Sequence, residues 1–338
     1  MRQVVVARYG GPDVLRLNEV PVPVPSSGEV GIRVRAAGVN FADVLARMGV
    51  YADAPKLPFV PGYEVVGHVD TLGAGVLGFA PGDRVMALIR FGGYSDYVIA
   101  PATHVFPVPS EMGDSEAAAA PVNYLTAALA LDALAHVATG EIVVVHSAGG
   151  GTGIAVTQIA RARGARVIAV ASTHKHDALR GMGVEFVMDP RSMDIEEYVR
   201  RLTNGRGADI VLDPNGGTSF ARSYRMLAPL GRLVIYGMSS AVPGERRNWL
   251  RILWTLRRMP YFRPLSLINR NRGVFGLNLA HLWGEQDHLR PAMERLLDEF
   301  RAGRLRPIVS RCFALTDAAD AHRFLQSRQN IGKVVLQA

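Results

Sequence analysis

The feature that most constrains the fold is a glycine-rich turn between an apolar strand and a helix. Residues 142–145 read Ile-Val-Val-Val, a continuous apolar run typical of a parallel strand that is buried on both faces. His-Ser-Ala-Gly-Gly-Gly-Thr-Gly follows at 146–153, and a helix is predicted from about Gly153 to Arg163. Glycines at such a turn let the backbone approach a pyrophosphate, which then lies at the positive end of the helix. The turn therefore predicts a βαβ unit that binds a dinucleotide.

The rest of the chain divides into two parts of different character. After the glycine turn, apolar strands at 166–170, 209–212 and 232–236 alternate with helical stretches, which predicts a doubly wound parallel sheet of the Rossmann type. Before it, short strands separated by Gly and Pro extend to about residue 121 and predict a barrel-like β domain. A chain of 338 residues is longer than one core usually organises, so we expect an α/β protein of two domains.

Composition argues against several other classes of protein. The one cysteine, Cys312, can form neither a disulfide framework nor a cysteine-based metal site. No stretch approaches the roughly 20 apolar residues that a membrane-spanning helix needs, and the first residues lack a signal-peptide pattern. We therefore expect a cytoplasmic protein. The formal net charge is +8, but most basic residues are scattered, so we expect no nucleic-acid partner.

The segment after the second strand of the βαβ unit indicates which dinucleotide binds. NAD-binding versions usually carry Asp or Glu about 20 residues after the glycine turn, where the acid holds the ribose 2′-hydroxyl. Residues 171–176 contain no acid, and Ser172, Thr173 and Lys175 can donate hydrogen bonds to a 2′-phosphate instead. An acid at this place would repel that phosphate. The segment therefore favours NADPH as the cofactor.

Motifs along nearly the whole chain resemble the zinc-free quinone oxidoreductases of the medium-chain dehydrogenase/reductase family, and most closely their VAT-1-like branch. These motifs are Gly-Val-Asn-Phe-Ala-Asp at 38–43, Gly-Val-Tyr at 49–51, Pro-Gly-Tyr-Glu at 61–64, 122–127, 213–217 and 330–336, together with the glycine turn. The resemblance implies a GroES-like catalytic domain at 1–121, a Rossmann NADPH-binding domain at 122–280 and a C-terminal return to the catalytic domain at 281–338. It also implies a homodimer.

Two positions in these motifs bear on the substrate. Zinc-dependent members of the family place Cys and His where this chain has Asn40 and Tyr63. Reducing a simple carbonyl passes through alkoxide-like charge, and zinc is the group that stabilises it, since it lowers the pKa of bound water from about 15.7 towards about 7. A quinone gives a phenolate-like product, whose parent acid resembles tyrosine with a pKa of roughly 10. We therefore expect zinc-independent hydride transfer from NADPH to a quinone, with double-bond reduction of an enone or 2-alkenal as the alternative.

The resemblance also assigns roles to individual residues. Tyr51 is expected to donate a hydrogen bond to the substrate oxygen, and Asn40 to orient the substrate or the nicotinamide ribose. Asp43 either lines the active site or caps a helix, and Tyr63 either shapes the substrate pocket or belongs to the core. The expected cofactor contacts are Thr126, Gly150, Gly151, Thr152, Gly153, Ser172, Thr173, Lys175, Asn215, Tyr236, Met238, Phe275 and Lys333. Relatives often carry a tyrosine near the 2′-phosphate; here that place holds Pro190, and Arg191 could take over the role.

A basic, tryptophan-containing segment at 245–258 is not explained by these motifs. Arg247 and Arg251 lie four residues apart, as do Leu250 and Trp254, so the segment predicts an amphipathic helix. Such a helix can cover the substrate site or a dimer interface, which we favour, or it can contact an anionic membrane surface. Membrane contact would suit a further alternative function, that of a VAT-1-like nucleotide-binding protein with a membrane-associated, weakly catalytic role.

Overall fold

The structure of the protein is a computed structural model, which describes residues 1–242 and 244–338. The described chain forms two compact units. The first unit comprises residues 1–125, 244–247 and 280–338, and the second comprises residues 126–242 and 248–279. The chain therefore passes through the first unit three times, and its middle visit is a short segment that no sequence pattern predicts.

The secondary structure of the described residues is as follows. The strands are β1 (Arg2–Val6), β2 (Leu15–Glu19), β3 (Glu29–Val39), β4 (Glu64–Leu72), β5 (Arg84–Leu88), β6 (Tyr97–Pro101), β7 (Val105–Pro107), β8 (Ile142–His146), β9 (Arg166–Val170), β10 (Phe186–Met188), β11 (Ala208–Asp213), β12 (Leu227–Ile235), β13 (Gly273–Gly276), β14 (Val309–Ala314) and β15 (Lys333–Gln337). The helices are α1 (Phe41–Arg47), α2 (Asp114–Ala118), α3 (Pro121–Ala128), α4 (Gly151–Ala162), α5 (His176–Gly181), α6 (Ile195–Leu202), α7 (Thr218–Arg225), α8 (Trp249–Arg257), α9 (Pro264–Arg270), α10 (Gln286–Arg301) and α11 (Ala318–Gln326).

The second unit is built on a parallel sheet with the strand order β10-β9-β8-β11-β12-β13. Val144 of β8 pairs with Ile168 of β9 on one side and with Val211 of β11 on the other, and all three side chains are buried. Burial on both faces explains why these strands read as continuous apolar runs in the sequence. The strand order reverses direction between β8 and β11, as in a Rossmann sheet, which confirms the predicted fold class.

The first unit is built mainly on antiparallel strands. Its larger sheet has the order β14-β15-β3-β4-β5-β7, with β6 also paired to β3, and β1 and β2 form a separate pair. The long strand β3 is central, because β4, β6 and β15 all pair with it. The C-terminal strand β15 lies antiparallel to the end of β3, with Val335 opposite Gly38. Strands that are far apart in the sequence, β3 and β15, therefore pair within one sheet.

The short segment 244–247 belongs to the first unit through contacts with buried side chains. Gln326 donates through Nε2 to the carbonyl oxygen of Gly244 at 2.7 Å. Arg47 is fully buried and donates through Nη2 to Gln326 Oε1 at 2.9 Å and to the carbonyl oxygen of Glu245 at 3.3 Å. Burial lowers the pKa of the Arg47 guanidinium to about 10. These contacts tie the beginning of the basic segment to the first unit.

The amphipathic helix predicted in the basic segment is present as α8, but it begins only at Trp249. Asn248 caps it by accepting the N–H of Arg251 at 3.1 Å. The buried face consists of Ile252 and Thr255, whereas Leu250, one of the predicted apolar face, is 81% exposed. The helices of the described residues include none that is long and apolar enough to span a lipid bilayer.

Candidate active site

A buried polar cluster in the first unit contains three of the side chains at the motif positions. Lys333 donates through Nζ to Glu64 Oε1 and to Asn40 Oδ1, each at 2.5 Å. Asn40 donates through Nδ2 to the same Glu64 oxygen at 2.9 Å, and Glu64 Oε2 accepts the backbone N–H of Val122 at 2.7 Å. Asn40 is 9% exposed, Lys333 3% and Glu64 0%. The cluster is therefore an ion pair held out of water with its polar atoms hydrogen-bonded.

The sheet of the first unit brings these residues together. Asn40 follows β3 directly, Glu64 begins β4 and Lys333 begins β15, and both of those strands pair with β3. Gly38 leaves room for the carboxylate, because a Cβ at this position would lie 2.4 Å from Glu64 Oε1. Burial of a charge is costly unless the charge is paired and hydrogen-bonded, so each of these ions depends on the other.

Asp43 lies beside this cluster at the start of α1 and is fully buried. Its carboxylate accepts the backbone N–H of Asn40 at 2.8 Å and that of Gly62 at 2.9 Å, as well as the hydroxyl of Tyr94 at 3.1 Å. Burial raises the pKa of the Asp43 carboxyl to about 6, although these donors and the Lys333 ammonium act in the opposite direction. Asp43 thus caps the helix, which is one of the two roles expected for it.

Tyr94 connects Asp43 to a second buried group, His322. The Tyr94 hydroxyl lies 2.9 Å from His322 Nε2, and both side chains are fully buried. Burial, assisted by the nearby Arg47 guanidinium, holds the pKa of His322 well below its usual value, so the ring is neutral. Since Tyr94 donates its hydroxyl hydrogen to Asp43, the His322 ring donates to Tyr94 through Nε2. These hydrogen bonds, from His322 to Tyr94 and from Tyr94 to Asp43, hold the Asp43 carboxylate in place beside the cluster.

The two tyrosines of the site motifs are neighbours in an aromatic group of the first unit. The rings of Tyr51 and Tyr63 are 6.4 Å apart and meet edge to face, and the Tyr63 ring lies 4.8 Å from that of Phe91. Tyr63 is 5% exposed, whereas Tyr51 is only partly buried. Burial raises the pKa of the Tyr63 phenol far above its usual value, as do the nearby Asp43 and Tyr51. Tyr63 is therefore a neutral core residue, and Tyr51 is the more accessible of the two.

In the second unit, the glycine turn has the geometry of a backbone anion site. Gly150 is the N-cap of α4, which begins at Gly151, two residues earlier than predicted. A Cβ on Gly153 would lie 2.3 Å from the carbonyl oxygen of Ser147, so this position admits no side chain without backbone movement. The N–H groups of the first helical turn, which contains Thr152 and Gly153, are the groups that hold phosphate in such turns.

The carboxyl ends of neighbouring strands bring further predicted cofactor residues together. Ser147, after β8, donates its hydroxyl to Asn215 Oδ1 at 3.1 Å, and Asn215 follows the end of β11. A Cβ on Gly216 would meet Met238 Cγ at 3.0 Å, so the segment after β12 lies against the same edge. Tyr236 begins that segment, and burial raises the pKa of its phenol. The predicted contacts Asn215, Tyr236 and Met238 therefore share one edge of the sheet.

Two other predicted cofactor residues of the second unit have less definite surroundings. Thr126 lies in α3 and is 9% exposed. Phe275 lies in the edge strand β13 opposite Val234.

Lys333, predicted to reach a phosphate or ribose, belongs to the first unit, and its ammonium is held by Glu64 and Asn40. A cofactor contact by Lys333 would require it to share or exchange these partners.

An acid from outside the segment predicted to hold the 2′-phosphate, Asp189, lies against that segment. Thr173 donates through both its backbone N–H and its hydroxyl to Asp189 Oδ2, each at 2.9 Å. Lys175 is 7% exposed, and its stem lies over the glycine turn, since a Cβ on Gly149 would be 2.4 Å from Lys175 Cδ. Ser172 is the N-cap of the short turn that carries both residues. Thr173 is thus engaged by Asp189, and the Lys175 side chain lies beside the phosphate loop.

Comparison with known proteins agrees with this arrangement. Residues 26–110 match the family model of the alcohol dehydrogenase GroES-like domain, and residues 151–296 match that of the zinc-binding dehydrogenase. The human synaptic vesicle membrane protein VAT-1 homolog is 36% identical over 339 residues, which cover 99% of this chain and 86% of the human protein. The chain belongs to the medium-chain dehydrogenase/reductase family. Within that family it is close to the VAT-1 homologues, as its motifs predict.

Solved structures of family members share the whole fold. The quinone oxidoreductase of Escherichia coli complexed with NADPH superposes with a TM-score of 0.89 at 26% identity and covers 100% of both chains. The CurK enoyl reductase superposes with a TM-score of 0.87 at 29% identity and covers 99% of this chain and 98% of the other. The family is therefore one of oxidoreductases, and these members reduce different classes of acceptor according to their names.

Several residues of the site are not among those predicted. Glu64 lies in the motif at 61–64, but its ion pair with Lys333 joins positions 269 residues apart, so no spacing reveals it. Tyr94 and His322 lie outside the motifs, and their alignment with Asp43 depends on the tertiary fold. Asp189 follows β10 and reaches Thr173 across neighbouring strands. Its position directly after the short apolar run at 186–188 is the sequence signal that could have placed it at the end of a strand.

Proposed function

We propose that this member of the medium-chain dehydrogenase/reductase family is a zinc-independent reductase that transfers hydride from NADPH to a quinone. The observation that carries the proposal is the buried ion pair of Lys333 with Glu64, which also engages Asn40. This ion pair supports a metal-free site, because the Lys333 ammonium already engages the Asn40 and Glu64 oxygens that could otherwise bind a metal ion. The nicotinamide supplies the hydride, and the side chains bind and orient the reactants.

The donor set around Asn40 does not fit zinc. Protein zinc sites use Cys sulfur, His nitrogen and carboxylate oxygen. Here the Asn40 amide and the Glu64 carboxylate are both hydrogen-bonded to the Lys333 ammonium, and a cation at that place opposes the entry of a second one. Tyr63 is a neutral phenol buried in the core. Across the described residues, no group of three or more His, Cys, Asp or Glu side chains could hold a metal ion.

The acceptor is proposed from the charge that it develops. A hydride added to a quinone leaves a phenolate-like oxygen, whose parent acid has a pKa of roughly 10, as for tyrosine. A simple ketone leaves an alkoxide, which is far more basic and needs stronger stabilisation than hydrogen bonds supply. Positioned hydrogen-bond donors suffice for the more delocalised anion. This argument supports quinones over unconjugated carbonyl compounds.

Tyr51 is the proposed donor to the acceptor oxygen. It is only partly buried, whereas the hydroxyls of Tyr63 and Tyr94 are buried in the core. Asn40 is proposed to orient the substrate or the nicotinamide ribose, because Lys333 and Glu64 fix both ends of its amide. Lys333 acts on the reaction through Asn40 and is a positioning residue in this proposal.

NADPH as the cofactor is supported by the second unit. Gly149 and Gly153 let the turn pack closely against Lys175 and the Ser147 carbonyl, and the N-terminus of α4 behind this turn suits a pyrophosphate. Lys175 beside this turn supplies a cation for a 2′-phosphate. The E. coli quinone oxidoreductase, which shares the fold, was solved with NADPH bound.

The experiment is a cofactor titration of the purified protein followed by a substrate panel. NADPH and NADH are titrated by the change in nicotinamide fluorescence, and turnover of the preferred one is then measured with quinones, 2-alkenals, enones and simple ketones. The proposal predicts tighter binding of NADPH and the highest kcat/KM with a quinone. A preference for simple ketones, or the absence of reduction of any conjugated acceptor, would contradict it.

Double-bond reduction in an enone or 2-alkenal is the second candidate reaction. It is favoured by the similarity to the CurK enoyl reductase, which covers 99% of this chain. The enolate formed by hydride addition is delocalised, so the same hydrogen-bond donor can stabilise it. The substrate panel separates the two reactions, because a saturated product would be detected from the 2-alkenals and a hydroquinone from the quinones.

Contact with an anionic membrane surface is a second candidate function outside catalysis. Helix α8 exposes Trp249, Leu250 and Trp254, and Arg258 lies 4.1 Å from the Trp254 ring centroid. Tryptophan, leucine and arginine on one helix suit the boundary between lipid headgroups and acyl chains. The relatives named synaptic vesicle membrane proteins agree with this candidate. Co-sedimentation with phosphatidylcholine vesicles, with and without phosphatidylserine, tests it; equal recovery in the absence and presence of vesicles would contradict it.

A further inference from the structure

An acid lies beside the segment that is proposed to hold the 2′-phosphate, although that segment contains none. Asp189 comes directly after β10, whose last residue, Met188, pairs with Val170 at the end of β9. The N–H of Ala171 also donates to the carbonyl oxygen of Met188 at 3.0 Å. Parallel pairing therefore places Asp189 at the carboxyl end of the sheet, next to the place where NAD-binding relatives of the Rossmann type carry their ribose-binding acid.

The Asp189 carboxylate is almost fully occupied. It is 4% exposed and accepts both donors of Thr173 on one oxygen. Arg191 donates to it through the backbone N–H at 3.0 Å, through Nε at 3.0 Å and through Nη2 at 2.7 Å. The Arg191 guanidinium, followed by these other donors, holds the pKa of Asp189 well below its usual range. Asp189 is therefore a fixed negative charge that binds the turn and the arginine together.

One edge of the Arg191 guanidinium is held by Asp189, and its other edge is available to a ligand. Its side chain is 72% exposed, although Nε and Nη2 make a fork with the carboxylate. A guanidinium carries further N–H groups on Nη1 and Nη2 that point away from such a fork, and they match a second bidentate acceptor such as phosphate. The turn that carries Arg191 is itself stabilised, because Ser192 donates its N–H and its hydroxyl to the carbonyl oxygen of Asp189. Pro190 restricts the backbone between the two charged residues.

We propose that Arg191, oriented by Asp189, recognises the 2′-phosphate of NADPH and replaces the tyrosine that relatives carry at Pro190. The inference rests on the proposed use of NADPH and assigns the residues that select it. While Arg191 is present, it neutralises Asp189 and offers a phosphate a charged fork. Without Arg191, the Asp189 carboxylate is left without its cation beside the segment proposed to hold the ribose, where it would repel a phosphate and accept a hydroxyl. The pair therefore makes cofactor choice depend on Arg191 in addition to Lys175.

The test is the ratio of dissociation constants for NADPH and NADH, with adenosine 2′,5′-bisphosphate and AMP as competitors that lack nicotinamide. Arg191→Gln is expected to raise the Kd for NADPH and for the bisphosphate at least tenfold and to leave the Kd for NADH and AMP unchanged or lower. Arg191→Lys is expected to fall between wild type and Arg191→Gln, because an ammonium keeps the charge without the fork. Removing the acid from the first variant, in Arg191→Gln with Asp189→Asn, is expected to recover part of the NADPH affinity.

Arg206→Gln is the matched control. Arg206 is also an exposed arginine paired with a shielded aspartate, Asp209, but that pair lies at the amino end of β11, at the opposite edge of the sheet. Both Kd values are expected to remain unchanged in this variant. An unchanged NADPH-to-NADH ratio in Arg191→Gln, in a wild type that prefers NADPH, would overturn the inference alone. A wild type that does not prefer NADPH would overturn the proposed cofactor and the inference together.

Discussion

The glycine turn of the second unit and the ion-pair cluster of the first unit both lie at the ends of strands, but the turn is formed by backbone groups and the cluster by side chains. The turn uses consecutive backbone groups, and its geometry depends on side chains that are missing at Gly149 and Gly153. The cluster uses side chains at the ends of three paired strands that are distant in sequence, and it depends on the balance of charge between Lys333 and Glu64. We infer that the turn is sensitive mainly to added volume, whereas the cluster is sensitive above all to the loss of a single charge.

Removing one charge from the cluster is expected to give the largest effect. Glu64→Gln leaves the Lys333 ammonium buried without its counter-ion, and we expect a loss of about 3–5 kcal/mol in the free energy of unfolding. Urea unfolding measures it. Glu197→Gln is the control, because Glu197 pairs with Arg201 on the exposed face of α6 and its loss should cost less than about 1 kcal/mol. Equal losses in the two variants would contradict a cluster held by charge.

The stability of the protein is expected to depend on pH through the buried carboxyl of Asp43. Its pKa is raised to about 6 in the folded protein, above the ordinary aspartate value of 3.8. The folded state therefore holds a proton that the unfolded state releases, and stability falls as pH rises from about 4 to about 6 before it levels off. This contribution is up to about 3 kcal/mol, from the pKa difference and about 1.36 kcal/mol per unit.

The measurement compares unfolding free energies of wild type and Asp43→Asn between pH 4 and pH 7. Only the difference in pH dependence is informative, because an amide also loses hydrogen bonds with Asn40, Gly62 or Tyr94. We expect the fall with rising pH to be smaller in the variant. Parallel profiles for the two proteins would show that Asp43 does not titrate in this range.

Adding volume to the glycine turn is expected to give an intermediate effect. Gly153→Ala places a Cβ 2.3 Å from the carbonyl oxygen of Ser147, so the backbone must move, at a cost of about 1–3 kcal/mol. We expect cofactor affinity to fall with it, as measured by fluorescence titration. Gly181→Ala at the end of α5 is the control, because its Cβ would meet nothing within 4 Å. Normal cofactor affinity in Gly153→Ala would mean that the turn does not hold the cofactor.

Tyr51→Phe is expected to give the smallest change in free energy. Loss of one hydrogen-bond donor to the acceptor oxygen should lower turnover about tenfold, equivalent to about 1.4 kcal/mol, and leave the Kd for NADPH unchanged. Steady-state kinetics with a quinone and cofactor titration measure the two quantities. Tyr97→Phe is a control, because the Tyr97 hydroxyl bonds Thr71 elsewhere in the sheet. Unchanged turnover in Tyr51→Phe would remove this residue from catalysis.

The same contrast explains how much the sequence could predict. The strand at 142–145 and the glycine turn are contiguous, so the Rossmann sheet and the position of its phosphate loop follow from local patterns. The ion pair of Lys333 and Glu64 joins positions 269 residues apart, and only the pairing of β15 and β4 with β3 brings them together. The contact of Asp189 with Thr173 could not be predicted from local patterns for the same reason, because Asp189 follows the neighbouring strand.

Helix α8 shows a further limit of sequence patterns. The spacing of Leu250 and Trp254 predicts an amphipathic helix, and the helix exists. The pattern does not say which face is covered: Ile252 and Thr255 are buried, whereas Leu250 and Trp254 are exposed. Periodicity fixes which residues share a face, but burial depends on the neighbours that the fold supplies.

The most direct test of the central claim is quinone turnover with NADPH in protein whose metal content has been measured. The protein is treated with a zinc chelator, dialysed, and assayed with a quinone and with an unconjugated ketone, before and after addition of zinc. We predict full quinone reduction at less than one zinc per ten chains, no gain on adding zinc, and negligible reduction of the ketone. Activity that disappears with chelation and returns with zinc would contradict the account.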